Sequence, residues 1–306
     1  MFNMKTNYLL LLFLFVFSQN LNAQKHKIAG TYKGQAAQGM AIYGDNAYIL
    51  NNTGYCRVYN LNSQKVIQEF PLASKNPKNH ANCATFGVEH FGNNPIPVLY
   101  ISESNSPFRC FVENIENGKS ELVQTIQVIE NGKPKATHDW MVDTENGFLY
   151  TFTRLGTKNE EGNVRHSIIK YRLPKLSEGK DVKLTKEDVI DQFEVAFLSM
   201  GQGGTIKGKY LYLPVGLSKS YDGKRDDAER SIVIVNLKKK KIKKIVNLSH
   251  VLSDEPEDIS FNGSELLLFC GQKGGLWSVN VKKTDDILKQ VGNQLLQLLG
   301  GGATGN

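Results

Sequence analysis

The feature that most constrains this chain is a pattern that returns five times. Residues 38–42 (QGMAI) precede the turn YGDN and the apolar run AYIL, and residues 82–86 (NCATF) precede GVEHFGNNPIP and VLYIS. Residues 138–142 (HDWMV) precede DTENG and FLYTF, and residues 202–206 (QGGTI) precede KGK and YLYLP. Residues 257–261 (EDISF) precede NGSE and LLLF. Each unit is a polar starter, a short strand closing on an apolar residue, a turn rich in Gly, Asn or Asp, and a very apolar second strand. The starters are Gln38, Asn82, His138, Gln202 and Glu257, spaced by 44, 56, 64 and 55 residues. Two further strands per unit are available in YCRVYNLNSQKVIQEF, FRCFVENIENGKSELVQTIQV, HSIIKYRLPKLSEGKDVKL and SIVIVNLKKKKIKKIVNL. Four-stranded repeats of this length predict an all-β fold, a five-bladed β-propeller.

The fifth unit is short. After LLLF it offers GLWSVNV (residues 275–281) and then no fourth strand. The segment KIAGTYKG (residues 27–34) precedes the first starter and belongs to no unit, so pairing it outside GLWSVNV closes the ring and removes an open sheet edge. The domain expected from this closure spans residues 24–283.

The two ends read differently. Residues 1–23 carry Lys5 ahead of the uninterrupted apolar run LLLLFLFVF and end LNA, the anatomy of a secretory signal cleaved after Ala23, with an apolar run too short to span a bilayer. The expected location is therefore secreted or periplasmic, with no transmembrane anchor. The ending NLNAQ resembles secretory signals of Bacteroidetes. Residues 284–306 lie outside the repeat; Ile287, Leu288, Val291, Leu295, Leu296, Leu298 and Leu299 approximate a helical stripe before a glycine-rich end.

Composition narrows the partners. The net charge of +7 draws heavily on KKKKIKK (residues 238–244) between SIVIVNL and IVNL, which reads as a hairpin turn and a lysine-guarded strand edge, not a nucleic-acid patch. The four cysteines, Cys56, Cys83, Cys110 and Cys270, are spaced by 27, 27 and 160 residues, which fits neither a zinc site nor a compact disulfide scaffold; they read as buried free thiols.

In a propeller the first strand of each blade lines the central channel, so the five starters form a polar ring at one mouth. Packing alone would be met by Ala, Val or Leu. The ring holds trapped water, a cation, or the polar end of a ligand. A cation would be Ca²⁺ or Mg²⁺, with Asn82, His138 and Glu257 as the protein ligands. Two residues before the starters, His80 and Glu255 are the polar members of the same rim. Asp139 and Asp258, one residue past their starters, are expected to point away into blade packing. Long connections between second and third strands share this face, and Arg109, Arg154, Arg165, Tyr221, Lys224 and Arg225 in them offer donors and a stacking surface for a carboxylate, sulfate or sugar hydroxyls.

The stretches QG at Gln38 and Gln202, YLYLPVG, and Glu255-Pro256-Glu257 resemble motifs of secreted bacterial propellers of the broad SMP-30/NHL-like and teichoic-acid-associated kind. This chain carries Asp258 where the EPEG form has glycine. The resemblance implies a propeller more than any activity. The expected function is a binding module that recognises a glycan, an envelope polymer or a protein partner at the channel mouth. The alternatives are a carbohydrate-active hydrolase or lyase, and a metal-dependent SMP-30-like esterase or lactonase at the same mouth. Glycoside hydrolysis asks for two carboxyls facing each other across a site, and among the starters Glu257 alone is acidic.

Overall fold

The computed structural model describes residues 24–26 (as backbone), 37–198, 201–217, 229–271, 274–279 and 281. The expected signal at residues 1–23, the segment 27–34, and the tail at residues 284–306 lie outside the described residues.

The chain forms five sheets in chain order, the blades of a β-propeller, each with an antiparallel four-stranded body. After β1 (Gln24–His26), blade 1 is β2 (Ala37–Tyr43), β3 (Asn46–Asn51), β4 (Tyr55–Asn60) and β5 (Lys65–Pro71). Blade 2 is β6 (Ala81–Phe86), β7 (Leu99–Glu103), β8 (Arg109–Glu116) and β9 (Lys119–Glu130), extended by the short β10 (Lys133–Pro134). Blade 3 begins β11 (Asp139–Asp143), β12 (Phe148–Lys158) and β13 (Val164–Arg172); β14 (Asp181–Leu184) then departs, and β15 (Val189–Phe197) returns as its fourth strand. Blade 4 is β16 (Thr205–Lys207), β17 (Tyr210–Val215), β18 (Ser231–Asn236) and β19 (Lys241–Asn247). Blade 5 is β20 (Pro256–Asn262), β21 (Glu265–Cys270) and β22 (Gly275–Val279), and β1 is its outermost strand.

The ring therefore closes with an N-terminal strand, through Gln24↔Ser278, Lys25↔Trp277 and His26↔Leu276. The closing strand lies just upstream of the segment whose composition suggested it.

The apolar second and third strands have a simple cause. Each inner strand is sandwiched between two neighbouring blades, so both of its faces are buried and alternation in polarity disappears. In β3, Ala47 and Ile49 pack on Leu267, Phe269 and Leu276 of blade 5, while Tyr48 and Leu50 pack on Phe86, Leu99 and Ile101 of blade 2. In β18, Ile232 and Ile234 face blade 5 and Val233 and Val235 face blade 3. Five apolar clusters result, one for each pair of adjacent blades. Each fully buried aliphatic side chain contributes about 1.5–3 kcal/mol. The four cysteines are free and buried within these walls. The lysine run forms the turn before β19 and its exposed edge.

Blade 3 corrects one strand assignment. The segment DVKL was expected as that blade's fourth strand, but β14 pairs in parallel with β9 of blade 2, Asp181↔Thr125 through Leu184↔Val128. Val182 and Leu184 are buried with Ile126 and Val128, while Asp181 and Lys183 stay exposed. Alternation of this kind fixes which face is buried, not which edge receives it. The excursion covers the outer edge of blade 2, and β15 completes blade 3 in its place.

Candidate functional site

Four of the five starters sit where the innermost ladders slip by one residue, and His138 directly precedes β11. The β2–β3 register moves from Ala37↔Asn51 to Met40↔Ile49, so Gln38 and Gly39 occupy a bulge. Asn82 and Cys83 lie in the equivalent slip between Ala81↔Glu103 and Ala84↔Ile101, and Glu257 in the slip between Pro256↔Cys270 and Asp258↔Phe269. In blade 4 the register gains a residue between Gly201↔Val215 and Thr205↔Tyr212, around Gln202. Bulges re-aim side chains and free backbone groups from the ladder, and both effects shape this end of the channel.

The close approach of the inner strands depends on the glycines that follow the glutamine starters. A Cβ on Gly39 would stand 2.9 Å from Ala81 O and 3.0 Å from the Cys83 carbonyl carbon. A Cβ on Gly203 would overlap Asp258 Oδ1. Asp258 occupies the room that Gly203 leaves. Its Oδ2 accepts from the backbone nitrogens of Met40 at 2.8 Å and Ala84 at 3.0 Å, and its Oδ1 accepts from Ile259 at 2.8 Å. One carboxyl thus ties together blades 5, 1 and 2. Burial pushes its pKa well up, and the three N–H donors pull against that shift. Cys83 does similar work opposite, with Sγ 3.6 Å from Trp140 O and 3.5 Å from Gly204 O. Asp258 was expected in blade packing; it stands instead in the channel, where it pairs with backbone nitrogens of three blades.

Above this layer lies a cleft of about 550 Å³. All five starters line it, together with His80, Glu255, Arg154 and, from no earlier expectation, Asn52, Ser104, Asn105, Asp139, Phe152 and Gly201. Asp139 departs from the expectation that it points into blade packing. Its Oδ1 accepts from Asn82 Nδ2 at 2.6 Å, and it is buried at the cleft floor. Burial raises its pKa to about 8. Glu257 is also raised well above the carboxylate range, first by burial and then by the nearby Glu255 and Asp258. It packs so closely on Gly271 that a Cβ there would overlap its Oε1. Glu255 accepts from Gln202 Nε2 across the blade 4–blade 5 boundary.

The two cleft histidines are shifted toward the neutral form. Burial lowers the His80 pKa, with the adjacent Asn82 side chain acting the other way; burial, then Arg154 and His80, lowers that of His138. Behind them, His166 is stacked between Phe152 at 4.8 Å and Phe197 at 4.1 Å, and burial pushes its pKa down to about 3. Gln38 Oε1, Asn82 Oδ1, Asn52 Oδ1 and His138 Nδ1 are buried atoms with no protein hydrogen-bond partner. Buried polar atoms in native folds are ordinarily paired, so this concentration is unusual.

Other candidate residues stand elsewhere. Arg109 opens β8, bonds Glu103 through Nε at 2.7 Å and lies over the Phe111 ring at 4.8 Å, and it does not line the cleft. Arg154 was expected in a loop; it lies within β12, because the β12–β13 hairpin continues to Lys158 and Val164. Arg165 pairs with Glu194. Tyr221, Lys224 and Arg225 lie outside the described residues. Asn82, His138 and Glu257, expected as cation ligands, share the cleft. Among the described residues, no three His, Cys, Asp or Glu side chains are grouped as metal ligands. No helix among them is long and apolar enough to cross a membrane.

No protein-family model matches the sequence, and no curated protein matches it. Among solved structures, hydrazine synthase of Kuenenia stuttgartiensis is similar with a TM-score of 0.41 and 11% identity, over 76% of this chain and 61% of that one. The chain spans less than two thirds of that structure's length. The blades, their order and their closure make the protein a five-bladed β-propeller.

Proposed function

We propose that this propeller is a secreted or periplasmic recognition module that takes a glycan or another polyhydroxylated envelope polymer in the starter-face cleft. The observation that carries the reading is the set of buried acceptors, Gln38 Oε1, Asn82 Oδ1 and Asn52 Oδ1, that line the cleft and meet no protein donor. A buried acceptor left unmatched costs about 1–3 kcal/mol, which a hydroxyl-rich ligand can return on binding. The five amide side chains, two neutral imidazoles, one guanidinium and the Phe152 ring offer the mixture of hydrogen bonds and one apolar face that sugars use.

A glycan array on the chain lacking residues 1–23, repeated on the double variant Glu257→Gln, His138→Ala, tests this. The double variant should lose binding that the parent shows. Binding unchanged in the double variant would place recognition outside the cleft. Sequencing the N-terminus of the exported protein should find Gln24 first.

A second reading rests on two carboxyls whose pKa values are raised. Asp139 and Glu257, both raised by burial, come from different blades and are suited to donate a proton to a leaving group. Turnover of a polysaccharide, abolished by Glu257→Gln, would favour a carbohydrate-active enzyme over a binding module.

A further inference from the structure

We infer that the ligand of the starter-face cleft presents a primary ammonium group, seated between Gln38 Oε1, Asn82 Oδ1 and the Glu257 carboxylate. This rests on the reading that the cleft is a recognition site and specifies the chemistry it selects. Gln38 and Asn82 are only 5% and 4% exposed, and each side-chain oxygen lines the cleft without a protein donor. The Asn82 amide nitrogen is already committed to Asp139, which leaves its oxygen as the atom turned to the cleft. Acceptors without donors ask for a ligand rich in donors. A hydroxyl supplies one hydrogen, whereas an ammonium supplies three and carries the charge that a carboxylate rewards.

Charge is distributed unevenly around the ring in the same sense. Gln38, Asn82 and Glu257 belong to β2, β6 and β20, the inner strands of the consecutive blades 1, 2 and 5. One layer below them, the Asp258 carboxyl sits between the nitrogens of Met40 and Ala84, and so beneath this same arc. Glu255 adds a further carboxyl beside Glu257. Arg154 and His138 belong to blade 3, as does Asp139, whose carboxyl is bonded to Asn82, and His80 stands beside Asn82 at the boundary. The cleft therefore has an acceptor-rich arc and an opposite side that carries its guanidinium. An ammonium on the first leaves the His138 imidazole to meet a hydroxyl of the same ligand.

Binding in this manner is linked to the Glu257 proton. Burial and its carboxyl neighbours raise the Glu257 pKa, and a cation seated on the group lowers it again.

The test is titration calorimetry of the chain lacking residues 1–23 with a chitosan tetramer and with its N-acetylated counterpart, in two buffers of different ionisation enthalpy. The free-amine tetramer should bind about tenfold or more tightly than the acetylated one. Glu257→Gln, which removes the negative charge, should abolish most of that preference, and Gln38→Leu should reduce the preference independently. Equal binding of the two tetramers would overturn the ammonium inference and leave glycan recognition standing. If neither tetramer binds, the glycan reading falls, and spermidine decides the inference: saturable binding lost in Glu257→Gln supports it, and no binding overturns it. Displacement of the amine by millimolar Ca²⁺ would overturn it in favour of a metal site.

Discussion

Two adjacent layers of the same channel treat buried polar groups in opposite ways. In the inner layer, Asp258 accepts from three backbone nitrogens and Cys83 reaches two carbonyls, so the polar atoms that enter are matched by others. In the mouth layer, Gln38, Asn82 and Asn52 each keep an oxygen with no protein donor. The strands, the burial and the glycine-dependent close approach are shared. What differs is whether the polar side chain completes the backbone of a neighbouring blade or faces the cleft. Matched groups hold the ring together; unmatched ones are available to a ligand.

Removing Asp258 should separate the two layers most sharply. Asp258→Ala leaves the buried N–H groups of Met40, Ala84 and Ile259 without their acceptor, at about 1–3 kcal/mol each. A loss of roughly 3–5 kcal/mol is expected in urea unfolding, a large fraction of an ordinary domain's stability. A loss below about 1 kcal/mol would mean the three donors find other acceptors, and the distinction between the layers would fail. Gly203→Ala attacks the same device from the opposite wall. Its Cβ would overlap Asp258 Oδ1, so the variant should lose about 1–3 kcal/mol by overpacking. Gly271→Ala instead presses on Glu257 in the mouth layer and should cost more in ligand affinity than in stability.

A smaller effect distinguishes the layers by pH. Asp139 has a folded pKa of about 8 against an ordinary 3.8. The folded form keeps a proton that the unfolded chain gives up, so the contribution is fully present below about pH 4 and is lost as pH rises to about 8. Asp139→Asn fixes the neutral form and should flatten this part of the profile, by an amount on the order of a few kcal/mol across the range. His166 acts in the opposite sense. Its folded pKa of about 3, below the ordinary 6.5, makes stability fall as pH drops through that interval. The useful quantity is therefore the difference between Asp139→Asn and the parent in thermal melts from pH 4 to pH 9. A difference that does not change with pH would mean that Asp139 is ionised in the folded protein.

The architecture was legible in the sequence because a propeller writes its plan locally. Each blade begins with a polar starter, and each second strand is apolar because both faces are buried, so self-comparison alone finds five units and the gap in the last. The convergence of Gln38, Asn82, His138, Gln202 and Glu257 on one cleft follows from that plan. Asp139 and Asp258 were both expected in blade packing, and both stand in the channel instead. They occupy the same place in the repeat, Asp258 just after the register slip of blade 5 and Asp139 at the first pair of β11 with β12. A slip of one residue changes where a side chain points and leaves no mark in a pattern of polar and apolar letters. The destination of β14 was hidden for a related reason: Val182 and Leu184 advertise one buried face, and either blade could have supplied it.

The weakest expected effect on stability is the most informative about the mouth. Gln38 is 5% exposed, yet its Oε1 has no protein donor, so the folded protein gains nothing from that oxygen and bears its desolvation. Replacing it with an apolar residue of similar size should therefore be nearly neutral, or stabilising by up to about 1 kcal/mol, even though a buried side chain is altered. Gln38→Leu in urea unfolding checks this, with saccharide titration of the same variant beside it. Unchanged or improved stability together with weakened binding is the signature of a group kept for its ligand. A loss of about 2 kcal/mol or more would show that Gln38 is matched within the fold after all, and would move it into the same class as Asp258.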